Sequence, residues 1–546
     1  MQAQAMDFTS LIKVAPTLTK TRINSPSGLG KHSLRKEQRE AIDKVGNSER
    51  SLLFADVGTG KTIVMLSALQ KWFNEGTITR ALVVAPKRVC QHVWLQEIQE
   101  WGHIRAKHLA PICIAGATAA QRRSFVKNAQ FKTLIINYES LPWLMNEFPK
   151  GIPNPGGGDM AIIFDEIDKM KNHKSLRWYG RRSRYPQYKE LTARRYGDKM
   201  PEFRARLDED WVLRKVGASY YTRFFKYRIG ATGTPTPNNY CELWAQAYLM
   251  DDGRALGDNY ESFIKGHFWW GTYSNSNQPQ LKSWHKEELE SKIEPMVSSM
   301  QYAPDMPKVI ELPPRWVDFD AKAYEVYKKF EALAIMELES MEVQAVSTSA
   351  LWQKLRQLSS GFAYGLKRED LYEAIGGRLR EQEGAWLDSV KHEELNTLVS
   401  EMQGKQLLVV YDYKEQAKTL ADRYGWRMRF LDGRTSDRAA AEAIQLWNSK
   451  QIQLLGIHPK SAGHGLNLQK SMCEHIVFLT LPMSAGEYKQ VIGRIARRNG
   501  AEHVTVHKIL TEGTQDHEDL DRVEGKIQTL QEFLSSMKAR VEARTV

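Results

Sequence analysis

The sequence predicts an α/β protein with two lobes, each a parallel sheet flanked by helices, plus a helical protrusion and linker and a C-terminal helix. Short apolar runs that suit buried strands lie at 52–54, 161–164 and 406–411. The first run continues into a glycine-rich turn and a helical apolar pattern, and the second ends in an acidic pair. Such units assemble into parallel sheets covered by helices. A chain of 546 residues has room for roughly two to four domains.

The composition indicates a globular protein with a basic surface. The net charge of +12 favours polyanionic partners such as nucleic acids. The four cysteines are far apart and form no Cys-x-x-Cys pair, so we expect buried thiols in a reducing compartment. No long apolar run and no secretory signal occur in the sequence. We therefore predict no membrane contact, no secretion, and a cytoplasmic location, or a nuclear one in a eukaryote.

Residues 51–69 predict a loop that binds phosphate groups. After a short strand the chain reads Gly58, Thr59, Gly60, Lys61 and Thr62. The glycines let backbone N–H groups face phosphate oxygens, the lysine supplies charge near the β- and γ-phosphates, and the threonine hydroxyl suits Mg²⁺. Ala55 replaces the first glycine of the strict pattern. The alternative is an ordinary strand–turn–helix with a surface lysine.

The second apolar run ends in Asp165 and Glu166. Ligands of α/β proteins bind at the carboxyl ends of parallel strands, which is where these two carboxylates are expected. Asp165 would hold Mg²⁺, and Glu166 would polarise the attacking water. By itself the pair could equally be an exposed acidic turn, but a phosphate loop upstream favours a nucleotide site.

At this point the sequence resembles the Swi/Snf-type ATPases, a branch of helicase superfamily two. Residues 34–38 resemble the segment whose glutamine contacts adenine, which makes Gln38 the candidate base reader. Further similarities in the first half lie at 81–101 (with Pro86, Trp94, Glu97 and Trp101), 134–139, 171–172 and 230–244. The last segment is similar to the family's coupling motif, and it supplies Thr234 as a candidate contact to nucleic acid.

The second half carries the remaining similarities. They lie at 431–438, at 461–468 and at 490–497, which reads Q-x-x-G-R-x-x-R. The resemblance implies two RecA-like lobes with ATP between them, and it gives catalytic roles to Gln490, Arg494 and Arg497. It also implies a nucleotide contact for Gly465 and a nucleic-acid contact for Asn467. An arginine that reaches the γ-phosphate is worth about 10³–10⁵ in rate.

The sequence departs from the family pattern in three places. Asp168 stands where the family often has histidine, and 481–484 replaces a Trp-Asn-Pro loop. An insertion of about 173–227 is rich in arginine and aromatic residues. We predict that it contacts nucleic acid through phosphates and stacked bases, with these candidates: Arg181, Arg182, Arg184, Arg194 and Arg195. The alternative is a solvated basic loop that packs its aromatic side chains on the first lobe.

The predicted organisation has five parts. They are a lead-in (1–33), the ATP-binding lobe (34–250), a helical protrusion and linker (251–385), the second lobe (386–511) and a C-terminal amphipathic helix (512–546). Apolar residues recur in that helix at steps of three and four from Leu520 to Val541. This seam could pack on its own domain or pair with a second copy.

The function implied by the resemblance is ATP-driven movement along double-stranded or forked DNA, or remodelling of that DNA, in replication, recombination or repair. ATP and Mg²⁺ are the expected cofactors. The chain is short for a eukaryotic remodeller, so we expect a bacterial or phage motor. The alternatives are a strand-separating or branch-migrating helicase, an RNA-directed helicase, and a nucleotide-regulated scaffold with negligible turnover.

Overall fold

The structure is a computed structural model that describes residues 29–56, 58–128, 131–172, 218–233, 235–236, 239–269, 279–300, 307–340, 345–363, 385–386, 389–462, 467–497 and 499–525. The chain divides into two compact units. The first contains the described residues up to Trp269 together with 279–300, and the second contains those from 307 onward.

A parallel seven-stranded sheet forms the centre of the first unit. The strands of this unit are β1 (Arg50–Ala55), β2 (Arg80–Ala85), β3 (Pro111–Cys113), β4 (Thr133–Asn137), β5 (Met160–Asp165), β6 (Tyr227–Thr232), β7 (Phe268–Trp269), β8 (Gln280–Leu281) and β9 (Val297–Met300). The sheet order is β3-β4-β2-β5-β6-β1-β9, while β7 and β8 form a separate antiparallel pair. Strands β1 and β5 therefore lie on either side of β6, with their carboxyl ends at one edge.

Helices cover both faces of this sheet. They are α1 (Lys36–Gly46), α2 (Lys61–Asn74), α3 (Leu95–Glu100), α4 (Ala106–Leu109), α5 (Ala119–Asn128), α6 (Leu141–Glu147), α7 (Ala218–Tyr221), α8 (Glu242–Asp251), α9 (Tyr260–His267) and α10 (Lys286–Ile293). Alternate strand residues enter two different cores, because successive side chains of a strand point to opposite faces. Leu52 packs on the side of α6 and α8, and Leu53 on the side of α1 and α2.

The second unit is built around another parallel sheet. The strands of this unit are β10 (Lys308–Glu311), β11 (Arg315–Val317), β12 (Phe362–Ala363), β13 (Ala385–Trp386), β14 (Leu407–Val410), β15 (Met428–Leu431), β16 (Leu454–Ile457), β17 (His475–Phe478) and β18 (His503–Thr511). The order is β10-β18-β17-β14-β16-β15, and β11 also pairs with β18. Strands β12 and β13 form a small antiparallel pair.

The helices of the second unit again lie on both faces of its sheet. They are α11 (Ala321–Ser340), α12 (Ala345–Ser359), α13 (Val390–Glu401), α14 (Lys414–Tyr424), α15 (Asp437–Asn448), α16 (Pro459–Ala462), α17 (Ala485–Ile492) and α18 (Asp516–Val523). Leu408 faces the core that contains residues of α15 and α17, while Leu407 faces the core that contains residues of α13 and α14. The predicted fold class, two parallel sheets flanked by helices, is confirmed.

The boundaries of the units differ from the predicted ones. The first lobe was expected to end at residue 250, but β9 pairs with β1 and extends this unit to residue 300. The segment 251–385 was expected to be helical, and α11 and α12 fit that expectation. It also contributes β10 and β11 to the second sheet, ahead of the predicted start at 386. These strands are short and only partly apolar. Their hydrogen bonding to β18, rather than a local apolar pattern, therefore determines their position in the sheet.

Near the C-terminus, α18 is described, and Val523 is buried in the second core. Most of the predicted C-terminal helix lies outside the described residues, as does nearly all of the lead-in. Within the described ranges, the structure has no helix that is long and apolar enough to span a membrane.

Candidate functional site

The predicted phosphate loop lies between β1 and α2. Gly58 and Gly60 have φ of 85° and 87°, which is the left-handed region that glycine adopts without steric cost. Thr59 closes the turn, since its Oγ1 donates to Asp56 O at 2.6 Å. Helix α2 then starts at Lys61. Its first N–H groups and its dipole make this helix terminus suited to an anion.

Gln38 is buried beneath this loop. Its Nε2 donates to Thr59 O at 2.9 Å, and its Oε1 accepts from Arg35 N at 3.0 Å. The Arg35 guanidinium donates to the same Thr59 carbonyl. Gln38 therefore supports the backbone of the phosphate loop. Its predicted contact with adenine stays a prediction.

Asp165 lies at the carboxyl end of β5 and is buried. Its Oδ2 accepts a hydrogen bond from Trp94 Nε1 at 2.9 Å. The Tyr138 hydroxyl lies 3.0 Å from both Asp165 O and Glu166 O and donates to these carbonyls. One side-chain donor thus orients the carboxylate, and one hydroxyl holds the backbone that carries it.

The structure brings the two predicted halves of the site together. Lys61 Nζ lies 3.3 Å from Glu166 Oε1, with the two side chains 11% and 15% exposed. Glu166 has φ 61° and ψ 60°, a left-handed conformation that costs energy for a residue with a Cβ and that concentrates at functional sites. The cation of the phosphate loop and the carboxylate of the acidic pair therefore form one nearly buried ion pair.

Asp168 connects the acidic pair to the coupling segment on β6. Burial, followed by the negative charge of Glu166, raises the pKa of Asp168 to about 7. Thr232 Oγ1 lies 3.4 Å from Asp168 Oδ1. A second link is the ion pair of Lys171 Nζ with a carboxylate oxygen of Glu242, at 2.8 Å. The stretch that follows the acidic pair is therefore linked by two polar contacts, one to the end of β6 and one to the start of α8.

No site role was predicted from the sequence for Trp94, Tyr138 or Thr232. The sequence did contain an indication for all three, because each lies in a segment that resembles a family motif. Their side chains carry an N–H or O–H donor, and a donor in a buried motif needs a partner. The partner could not be named without the fold. Thr62 follows Lys61 in the first turn of α2, and its predicted role toward Mg²⁺ stays a prediction.

The predicted arginines belong to the second unit. Helix α17 carries Gln490 and ends at Ile492, and Arg494 and Arg497 lie in the turns that follow it. Arg494 is buried. Arg497 Nε donates to Gly493 O at 2.7 Å, and its Nη1 donates to Asn467 Oδ1 at 3.1 Å. Two predicted site residues, Arg497 and Asn467, are therefore directly bonded to each other.

Several predicted site residues lie outside the described residues. They are Thr234, Gly465, Arg181, Arg182, Arg184, Arg194 and Arg195. Their assignments stay predictions.

Known proteins are similar to this chain over most of its length. Residues 38–360 match the SNF2-related domain, and residues 390–499 match the helicase conserved C-terminal domain. The chain is 27% identical over 524 residues to protein p41 of Acyrthosiphon pisum secondary endosymbiont phage 1, covering 92% of this chain and 98% of p41. It is 22% identical to the human SWI/SNF-related matrix-associated actin-dependent regulator of chromatin subfamily A member 1, covering 88% of this chain and 41% of that longer protein.

Among solved structures, the SWI2/SNF2 ATPase core of Sulfolobus solfataricus in complex with dsDNA aligns with a TM-score of 0.38 and 18% identity, covering 92% of each chain. The SNF2-related domain extends over more than half of the present sequence. The chain therefore belongs to the SNF2 family of helicase superfamily two, and it is an ATPase of the DNA-translocase type.

Proposed function

We propose that this protein couples ATP hydrolysis to movement along double-stranded DNA without obligatory strand separation. The observation that carries the proposal is the Lys61–Glu166 ion pair at the end of β5, beside the buried Asp165. A phosphate-loop lysine, a metal-ligating carboxylate and a water-polarising carboxylate are the groups that phosphoryl transfer to water requires.

The chemistry of the donors fits a magnesium ion. Asp165 offers a buried carboxylate, and Thr62 offers a hydroxyl in the first turn of α2. Oxygen ligands of this kind, completed by water and phosphate oxygens, are what Mg²⁺ prefers. Bound there, Mg²⁺ would neutralise negative charge on the phosphate oxygens. Trp94 and Tyr138 hold the carboxylate and its backbone in place for that role.

The ion pair itself suggests how the site responds to ATP. The γ-phosphate competes with Glu166 for Lys61, since both are anions that the ammonium group attracts. When Lys61 turns to the phosphate, Glu166 loses its counter-charge and becomes available to accept a proton from water. Through Asp168 and Thr232 the same change reaches the segment after β6. We propose that this route couples the hydrolysis site to the grip on DNA.

The residues of the second unit have proposed roles in the same cycle. Arg494 and Arg497 are proposed to stabilise the charge that develops on the transferred phosphoryl group, and Gln490 to assist them. The bond from Arg497 to Asn467 supports a coupling of that arginine to the glycine-rich segment. Gly465 and Asn467 within this segment keep their proposed contacts with nucleotide and DNA.

Double-stranded DNA is the proposed track for two reasons. The net charge of +12 suits a phosphate backbone. The human relative is named as a regulator of chromatin, and chromatin contains duplex DNA. The relative p41 belongs to a phage, which supports a role in phage-infected bacteria. Replication, recombination and repair are the processes we propose for it, and the insertion at 173–227 is the proposed additional DNA contact.

The proposal is tested by ATP hydrolysis without nucleic acid and then with duplex DNA, single-stranded DNA, forked DNA and RNA at one low salt concentration. We expect duplex DNA to stimulate most strongly, and displacement of the third strand from a DNA triplex to require ATP. Stimulation by single strands, forks or RNA alone would favour a helicase on that track. No stimulation by any of them would contradict the proposal.

The matched control is Glu166→Gln, which keeps the size of the side chain and removes its charge. It should bind ATP and DNA but fail to release phosphate or to displace the third strand. If Glu166→Gln displaces the third strand as well as the unmodified protein, hydrolysis does not drive the movement. Equal phosphate release by both proteins would favour the scaffold alternative.

A further inference from the structure

We propose that His267, His285 and Glu288 form a binding site for a divalent transition-metal ion, with Zn²⁺ as the expected occupant. The site lies in the first unit, where α9 ends, a 3₁₀ turn (Ser283–His285) ends and α10 begins. Each residue offers one ligand atom, and these atoms lie within 4.8 Å of one another. The inference does not depend on the proposed motor activity.

The distances suit a small ion with tetrahedral ligands. His267 Nε2 lies 3.6 Å from Glu288 Oε1, and His285 Nδ1 lies 2.5 Å from Glu288 Oε2. Bonds of about 2.0–2.1 Å around zinc place neighbouring ligand atoms about 3.4 Å apart. Only small side-chain adjustments therefore separate the present arrangement from a coordination sphere with three protein ligands and water in the fourth position.

The hydrogen bond of His267 selects the tautomer that a metal requires. Its Nδ1 lies 2.9 Å from the carbonyl oxygen of Phe263. A carbonyl accepts and cannot donate, so Nδ1 carries the hydrogen, and in the neutral imidazole Nε2 is the nitrogen that keeps a free lone pair. Metal-binding histidines usually have their second nitrogen held in this way. Ring contacts with Phe263 and His285, at centroid distances of 5.1 Å and 5.0 Å, further restrict the imidazole.

Glu288 is available as a charged ligand. Its Oε2 lies 2.5 Å from His285 Nδ1, and its Oε1 lies 3.6 Å from His267 Nε2. Lys292 Nζ lies 2.5 Å from Glu288 Oε1, so its positive charge competes with a cation for that oxygen. The Glu288 side chain is 41% exposed, which gives an ion access from solvent.

The ligand types decide the class of metal. Two imidazole nitrogens and one carboxylate favour zinc and its neighbours over magnesium or calcium, which prefer oxygen ligands. A bound ion would tie the end of α9 to the start of α10, across the ladder of β7 and β8 that these helices flank. The expected consequence is greater stability of the first unit.

The test uses the untagged full-length protein after chelator treatment and removal of the chelator. Co²⁺ is titrated while its visible absorption is recorded, Zn²⁺ is then added in competition, and the thermal midpoint is measured with and without Zn²⁺. We expect one ion per chain, displacement of Co²⁺ by Zn²⁺, and a higher thermal midpoint with Zn²⁺. We expect the Co²⁺ absorption and the effect of Zn²⁺ on the thermal midpoint to be lost in two variants. One combines His267→Ala with His285→Ala, and the other is the isosteric Glu288→Gln.

Two further variants sharpen the test. His517→Gln alters an exposed histidine that pairs with Glu512 at 3.0 Å and that belongs to no three-ligand group within the described ranges, so it should keep full binding. Lys292→Met removes the competing charge and should tighten binding by about fivefold. The proposal is overturned if no stoichiometric binding occurs at micromolar metal, or if the folded Glu288→Gln and double-histidine variants bind as well as the unmodified chain.

Discussion

Trp94 Nε1 donates a hydrogen bond of 2.9 Å to Asp165 Oδ2, and both side chains are buried. A buried carboxylate with one oxygen held by an indole has a single preferred orientation, because rotation would leave two polar groups without partners. Trp94 is therefore a positioning residue for the proposed metal ligand, although it contacts neither nucleotide nor metal in that proposal.

Replacing Trp94 with phenylalanine should lower ATP hydrolysis about 10- to 100-fold, which is typical of losing a group that orients a metal ligand. The Mg²⁺ concentration for half-maximal activity should rise as well. Steady-state hydrolysis across a Mg²⁺ series measures both effects. Trp101→Phe is the control, since Trp101 donates its indole N–H to Glu97 at 2.7 Å. Equal losses in both variants would assign Trp94 a packing role only.

Gly60→Ala should weaken ATP binding through the phosphate loop. At φ 87° an added Cβ is strained, and it would clash with the amide nitrogen of Gln38. We expect the KM for ATP to rise about tenfold, equivalent to about 1.4 kcal/mol. Gly76 lies just after α2 with φ 69° and has no atom within 4 Å of an added Cβ. Gly76→Ala should therefore cost about 1 kcal/mol of stability and leave the KM unchanged.

Arg356→Met should strongly destabilise the second unit. Arg356 is fully buried, with Nε 2.7 Å from Asp519 Oδ2 and Nη1 3.2 Å from Asp412 Oδ2. Methionine keeps the apolar stem but leaves the buried Asp519 carboxylate without the guanidinium that pairs with it, which costs about 3–5 kcal/mol. Urea unfolding measures the change. Lys328→Met, which removes an exposed ion pair with Glu325, should cost less than about 1 kcal/mol. Similar losses of stability in the two variants would contradict the special contribution of the buried Arg356 ion pairs.

The second unit should lose stability as the pH falls from 6.5 toward 4. Burial lowers the pKa of His392 to about 3 and that of His507 to about 4. In this pH range the histidines are protonated in the unfolded chain but neutral in the folded chain. The free energy of unfolding therefore decreases as the pH is lowered. The contribution of His392 at pH 5 is a loss of about 2 kcal/mol relative to neutral pH. Urea unfolding at pH 7, 6 and 5 measures it.

His392→Leu is the variant that checks this pH dependence. The slope of the free energy of unfolding against pH reports the number of protons taken up on unfolding. Without the imidazole, that number should fall by about one over the same interval. A slope identical to that of the unmodified protein would show that His392 does not contribute. Comparing the slopes removes any constant change in packing that leucine introduces.

Local sequence patterns predicted much of this architecture. The apolar runs at 52–54 and 161–164 lie within β1 and β5, and the run at 406–411 contains β14. Continuous apolar residues favour strands that are buried on both faces. The strand β9 was not predicted, since its sequence Val-Ser-Ser-Met lacks such a run.

The sequence by itself determined the elements whose causes lie within about twenty residues: the phosphate loop, the strand that ends in the acidic pair, and the order of the motifs. The tertiary structure decided which side chains meet. Lys61 and Glu166 are separated by 105 residues, and Trp94 and Asp165 by 71. Local periodicity carries no information about such distances. Their contacts depend on the order in which the strands pair, which the burial of the whole sheet determines.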